Sequence, residues 1–326
     1  MELSVENSFR AHAMSFGLAS SVDVKASLWS VSWSAERKLM CGSVDASIYT
    51  FDNIGDGSIA DAKPDTFQGH SLGVTSVSTS RDGKIACSSS LDSAVRVWDV
   101  TIGELVRCIE PPPLEAYTVA LSPDGKTIAS GSSNGCLNLW SVATGKRLAN
   151  IPTGMGKFLM SVAFSSNGDE VACGSTDGIV HLFDVSAEQH VHKFNHHNGS
   201  VRTVAFASAP GILASGGDDA LVNLYDGRTR TLLSSMEGHK SWTLGMSYAP
   251  DDAVLATCSA DKSVRVWDLG LQQCIETVSD AHPDQAWGIA FDPDAVERKR
   301  FALVGDDQVV RLYQEGAEAG GAVGSS

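Results

Sequence analysis

Apolar and polar residues alternate with a period of two along many short runs, among them VTSVST at 74–79, TIASGS at 127–132, VRTVAF at 201–206 and VRVWD at 264–268. That alternation predicts β-strands rather than helices, whose apolar positions recur every three to four residues. The runs are separated by SPDGK, APDD and similar turns, and Asp-Gly, Asn-Gly and Pro-Asp signals between alternating runs predict antiparallel hairpins. No run approaches the ~18 consecutive apolar residues of a membrane-spanning helix, so no membrane partner is expected.

The same grammar repeats. Aligned on an acidic or amide residue six positions before an aromatic, the chain gives Asp45/Phe51, Asp92/Trp98, Asn134/Trp140, Asp177/Phe183, Asp219/Tyr225, Asp261/Trp267 and Asp307/Tyr313. The steps between aromatics are 47, 42, 43, 42, 42 and 46 residues, a unit of about 42 present seven times. Each unit is a small meandering sheet that cannot bury both faces alone. Radial stacking with closure covers the faces and leaves no long exposed edge, so an all-β ring is expected.

Composition narrows the chemistry. The chain has 43% hydrophobic residues, 31 Gly and a net charge of −15, a balance that disfavours indiscriminate binding to nucleic acid or anionic membranes. The seven Cys show no C-x-x-C pairing, which argues against a disulfide framework or a zinc site; Cys41, Cys87, Cys173 and Cys258 lie in strand-like runs as core residues. MELSVENSFR lacks the basic-then-apolar start of a signal peptide, so an intracellular chain is expected. The basic run Glu297–Arg300 reads as a solvated hairpin loop. The His-rich NHHN at 195–198 has no converging carboxylate or Cys set, and no phosphate-binding Gly-rich motif is present, so no metal and no cofactor is expected.

The repeats resemble WD repeats. Gly69-His70 and Gly238-His239 match the Gly-His signature, and Trp98-Asp99 and Trp267-Asp268 the Trp-Asp signature; Phe51-Asp52, Phe183-Asp184 and Tyr225-Asp226 are aromatic variants. With the count, the resemblance implies a seven-bladed β-propeller over residues 1–314, followed by a disordered tail at 315–326. It also implies closure of the ring by the N-terminus, and the segment near Leu3 to Arg10 is expected to complete blade 7. His12 precedes Val31 by nineteen positions where His70 precedes Val77 by seven, so residues 14–27 are expected to be an insertion entering blade 1.

Two blades carry a His, a Ser or Thr and an Asp: His70, Ser88 and Asp92 with Trp98, and His239, Thr257 and Asp261 with Trp267. These are the residue types of a hydrolase triad, but one active site does not need copies of its triad. The resemblance implies structural tetrads instead, with a third at His197, Ser215, Asp219 and Tyr225, and no enzyme is expected. Pro112 and Met155 stand where blades 3 and 4 should have His, and blade 7 has Leu303 at the Ser/Thr position. Those blades are expected to lean on apolar packing.

What remains is surface. In register, Trp29, Thr75, Tyr117, Met160, Arg202, Leu244 and Trp287 are expected at one mouth of the central channel, with Phe158 and Trp242 on adjoining loops. Trp29, Tyr117, Phe158, Arg202, Trp242 and Trp287 are the candidate partner-binding residues, with Asp218 and Asp306 as acids that could orient a partner. The stretches GKFLMSVAFSSNGDEVACGSTDGIVHLFDV, GHKSWTLGMSYAPDDAVLATCSADKSVRVWDL, DQAWGIAFDPD and VGDDQVVRLY resemble the WD-repeat subunits of the superkiller complex, whose plant form is a vernalization independence protein. That resemblance implies a scaffold that docks on a tetratricopeptide subunit beside an RNA helicase, feeding messenger RNA to the exosome. It further implies a place in the RNA polymerase II-associated factor complex, and hence nucleus and cytoplasm, with no direct contact to nucleic acid. Tyr225-Asp226-Gly227-Arg228 approximates the W-D-x-R box of cullin–RING ubiquitin ligase receptors, the alternative.

Overall fold

Seven antiparallel sheets, each a meander of four strands, follow one another along the chain and around a common channel. The computed structural model describes residues 14–317 apart from 35–36, 53, 55–57, 61 and 110–115. Blades 1 to 6 occupy residues 28–67, 74–109, 116–152, 159–195, 201–236 and 243–278. Blade 7 takes three strands from 286–315 and its outer strand from Phe16–Asp23. All regular elements among the described residues are strands, as the period-two alternation requires.

The core is a set of slabs, one between each pair of neighbours. Met40 and Ile48 of blade 1 pack on Val74, Val77 and Trp98 of blade 2; equivalent slabs follow round the ring to Ala302, Val304 and Leu312 of blade 7 against Leu28 and Trp33 of blade 1. Small residues on the second strand let the next blade approach. A Cβ at Gly174 would stand 2.6 Å from Val201 of blade 5. Polar latches add to the slabs: the Ser78 hydroxyl accepts from the Leu121 N–H at 3.1 Å, and the Ser247 hydroxyl from the Phe291 N–H at 3.0 Å.

The ring closes through the N-terminus, but not where the sequence suggested. Leu3 to Arg10 and His12 lie outside the described residues. The closing strand is Phe16–Asp23, paired antiparallel with the third strand of blade 7 from Phe16↔Glu315 to Asp23↔Val309. Residues 14–27 are therefore no insertion: most of them are the missing strand. Val24, four residues before Leu28, occupies the slot that His70 holds four residues before Val74. Phe16 anchors the strand against Phe301, ring centroids 5.3 Å apart, and its N–H donates to the Glu276 carboxylate of blade 6 at 2.9 Å. Glu315, expected in the tail, ends the third strand of blade 7; residues 318–326 lie outside the described residues.

The tetrads are chains of hydrogen bonds built on a buried hydroxyl. In blade 2 His70 Nδ1 lies 3.0 Å from Asp92, His70 Nε2 2.7 Å from Ser88, and the Trp98 N–H donates to the Ser88 hydroxyl at 2.9 Å. A carboxylate only accepts, so Nδ1 donates, and the neutral ring accepts from Ser88 at Nε2. Blade 6 repeats the chain with Thr257, at 3.1, 2.8 and 2.8 Å. Blade 5 repeats it through Ser215, whose hydroxyl meets the Tyr225 hydroxyl at 3.2 Å. The Trp N–H thus rests on the hydroxyl and not on the Asp or His. Ser88 and Thr257 are fully buried, closed to any substrate.

Electrostatics follow from that burial. Burial alone would raise the Asp92 carboxyl, but the Ser71 and Ala94 amides and His70 outweigh it and hold it at about 2. Burial pushes His70 below its ordinary value against the pull of Asp92. The buried Cys41, Cys87, Cys173 and Cys258 thiols are all pushed up by the same desolvation.

Blades without the full set were expected to lean on apolar packing, but two of the three keep polar contacts at these positions. Blade 3 keeps the Trp140-to-Ser130 bond at 3.0 Å, while Pro112 lies outside the described residues. Blade 4 has Cys173 and Phe183 in its slab. In blade 7, where Leu303 offers no acceptor, His282 turns its Nε2 to Asp307 at 2.6 Å and its Nδ1 to the Asp284 carbonyl. The run Glu297–Arg300 departs from the solvated loop expected of it. Lys299 and Arg300 are buried: Lys299 reaches Asp251 of blade 6 at 2.9 Å, and Arg300 pairs with buried Asp292 and donates to the Ile54 carbonyl of blade 1.

Two outcomes check this picture. Asp261→Ala removes the acceptor of His239 and of the Lys240 and Ser263 N–H groups. It should destabilise the fold by about 2–4 kcal/mol in denaturant unfolding. A loss below about 0.5 kcal/mol would place Asp261 among ordinary surface residues. The second concerns His181, fully buried in blade 4 and pushed down to about 4 by desolvation and by neighbouring His190. The unfolded chain protonates this His near pH 6.5 and the folded one only near 4, so its contribution is complete above about pH 6.5 and is lost as pH falls toward 4. His181→Asn, the residue of blades 3 and 5 at this register, should flatten the fall in melting temperature across that window. Superimposable pH profiles would contradict it.

Candidate functional site

The innermost strands of all seven blades line one channel of about 850 Å³. Each begins with a β-bulge at its second residue. The register shifts at Leu28/Ser30, Val74/Ser76, Ala116/Thr118, Leu159/Ser161, Val201/Thr203, Thr243/Gly245 and Ala286/Gly288 skip Trp29, Thr75, Tyr117, Met160, Arg202, Leu244 and Trp287. These are the seven positions that the sequence register places at the channel mouth, and all seven line it. A bulge re-aims a side chain out of the ladder. Here it turns one residue per blade toward the same opening.

A second repeated bond fixes the loops around them. The residue before the turn Asp donates its N–H to the carbonyl just ahead of the inner strand: Val44 to Ser27, Leu91 to Gly73, Thr176 to Phe158, Asp218 to Ser200, Ala260 to Trp242 and Asp306 to Gln285. Phe158 and Trp242 therefore stand directly ahead of their strands, on the same face.

The rim residues make specific contacts across blades. Tyr117 and Phe158 meet edge to face, centroids 5.4 Å apart. The Arg202 guanidinium lies 4.3 Å from the Trp242 ring centroid and donates to Asp218. The Trp287 indole N–H donates to Asp306 at 2.8 Å. Trp29 lies over Gly73, where an added Cβ would come within 2.8 Å of the ring. Asp218 and Asp306, expected to orient a partner, are thus already engaged with Arg202 and Trp287, and Arg202 is a clamped cation. Tyr117 and Trp242 remain exposed, at 36% and 43%.

Sequence reasoning missed part of this face. Leu72, Leu91, Val44 and Met155 are exposed aliphatic residues on the same loops, and Leu91 lines the channel. Val44 and Leu91 each directly precede a turn Asp, so the repeat register held the signal. The tetrads His70, Ser88, Asp92, Trp98 and His239, Thr257, Asp261, Trp267 lie inside their blades and present no group to this opening. Of the His-rich stretch, His197 is bound to Asp219 and Ser215, and His190 to His181 at 3.1 Å. Arg228 lies in the turn after the third strand of blade 5, its N–H on Asp226.

A family model described as the first β-propeller of IFT122 matches residues 27–314. The chain is similar to WD repeat-containing protein SL1-17 of Schistosoma mansoni, 43% identical over 54 residues that cover 17% of this chain and 18% of that protein. It is also similar to WD repeat-containing protein VIP3 of Arabidopsis thaliana, 37% identical over 102 residues, 28% of each chain. These matches span under a third of either relative. With seven blades in the structure and a family model running from 27 to 314, the chain belongs to the WD-repeat β-propellers, in the family of the first propeller of IFT122.

Proposed function

We propose that this propeller is a non-catalytic scaffold whose channel mouth binds segments of partner proteins. One observation carries the reading: bulges at one register turn three aromatic side chains, an Arg and two aliphatic side chains onto a single opening, ringed by further exposed apolar residues. Aromatic and Arg clusters at a concave, partly desolvated site are the usual anchors of protein interfaces. The polar groups of the rim are satisfied internally by Asp218 and Asp306, so the apolar surface is presented in a fixed arrangement and little ordering is needed on binding.

The assemblies we propose are the superkiller complex, through its tetratricopeptide subunit beside the RNA helicase, and the RNA polymerase II-associated factor complex. The sequence resemblance and the similarity to VIP3 support this placement, with work in messenger RNA decay and transcription elongation and a location in both cytoplasm and nucleus. Affinity purification from separate nuclear and cytoplasmic fractions tests the assemblies: the helicase and tetratricopeptide subunits are expected with the bait, whereas a cullin adaptor in their place would favour a ligase receptor. For the surface, Tyr117→Ala and Trp287→Ala should each weaken binding of the tetratricopeptide subunit by about 2 kcal/mol or more with unchanged melting curves. Wild-type affinity in both variants would put the contact elsewhere.

A further inference from the structure

The outer strands of the blades differ in charge around the ring. Those of blades 3, 4 and 5, Arg147–Pro152, Gln189–Asn195 and Thr231–Met236, contain no acidic residue, although the chain carries 39 Asp and Glu against 24 Lys and Arg. Every other outer strand holds one: Asp65 in blade 1, Glu104 in blade 2, Glu276 in blade 6 and Asp23 in blade 7. On the acid-free strip Arg147 and Lys193 are exposed, with His190 and His192 beside Lys193 and exposed Lys146 just ahead of Arg147. Glu170 is paired with Arg230 at 2.9 Å; Asp184 and Asp226 stand opposite Gln189 and Thr231 at the strand ends, and Glu188 and Glu237 lie outside them. Burial holds His190 and His192 below their ordinary values; at His190 the Lys193 charge adds to this against a hydrogen bond to His192, and at His192 the Arg230 charge adds to it.

The outer strands of blades 2 to 6 each carry a bulge whose extra residue is aliphatic: Val106 in blade 2, Leu148, Val191 and Leu233 in blades 3 to 5, and Ile275 in blade 6. On the acid-free strip the three are exposed, at 53%, 41% and 44%. A bulge on an edge strand guards against pairing with another sheet, and its aliphatic residue recurs with the repeat. What sets blades 3 to 5 apart from blade 2, where Val106 shares its strand with Glu104, is that these residues stand among cations on strands without an acid. Aliphatic groups set among cations suit a partner that brings both apolar side chains and negative charge. A single-stranded nucleic acid would find cations here but no exposed Phe, Tyr or Trp face on these strands on which to stack its bases.

We propose that the outer edge of blades 3 to 5 is a second docking surface, for an acidic protein segment carrying aliphatic residues. It is separate from the channel mouth and does not rest on the reading of that site. Its probe is a fluorescently labelled peptide of Glu pairs alternating with Leu, compared with the same peptide bearing Lys for Glu and with labelled oligouridylate. The intact chain should bind the acidic peptide, less tightly as salt rises, and not the basic one.

Arg147→Glu with Lys193→Glu should weaken this binding roughly tenfold or more. Leu148→Ser with Val191→Ser and Leu233→Ser should weaken it too, and Trp287→Ala at the channel mouth should leave it unchanged. All these side chains are at the surface, and melting curves check that each variant is folded. Failure of the acidic peptide to bind, or equal binding by all variants, would overturn the proposal. So would loss of binding in Trp287→Ala, which moves the contact to the channel mouth. Binding of oligouridylate that the Glu variants abolish and the Ser variants spare would make the strip a nucleic-acid surface instead.

Discussion

A small four-stranded sheet with two apolar faces has no stable existence in water until both faces are covered, and everything in this molecule follows from that. Each blade is covered by its two neighbours, so the apolar slabs lie between blades rather than in one central core. The arrangement has no natural end. A first and a last blade would each leave a face bare, and only closure removes both. The strand Phe16–Asp23 supplies it: covalently continuous with blade 1, it is hydrogen-bonded into the sheet of blade 7.

Within that frame the polar interior is organised about single hydroxyls. Ser88, Ser215 and Thr257 each join a His to an aromatic side chain, and the His is held in turn by an Asp that also binds the backbone of two loops. The residue types and distances match those of a hydrolase triad because the electronic demands coincide: an acceptor-only carboxylate orients a ring, which then accepts from a hydroxyl. What differs is access, since the hydroxyl is buried beneath an aromatic ring. The turn that carries each Asp also holds the loop at the channel mouth, so the interior chain and the exposed surface are linked through a few backbone bonds.

The repeat length, the count of blades and the positions of the rim residues were legible in the sequence, because a bulge at fixed register preserves spacing from blade to blade. The closing strand was not. FGLASSVD lacks a clear alternation, stands apart from the rest of its blade and precedes blade 1, so spacing alone made it look like an insertion. The readable clue was Val24 in the slot that His70, His197 and His239 fill elsewhere. Nor could spacing reveal that Asp218 and Asp306 are engaged with Arg202 and Trp287, or that Lys299 and Arg300 turn inward; those depend on partners far away in the chain.

The claim that the ring is closed by residues 16–23 is open to amide hydrogen exchange on the intact chain. Closure predicts that amides of Phe16–Asp23 and of Val309–Glu315 are protected to the same degree as the third and outer strands of blade 2, since opening any of them uncovers an apolar slab. Exchange of residues 16–23 at the rate of unpaired chain, with Val309–Glu315 unprotected on its outer side, would contradict it.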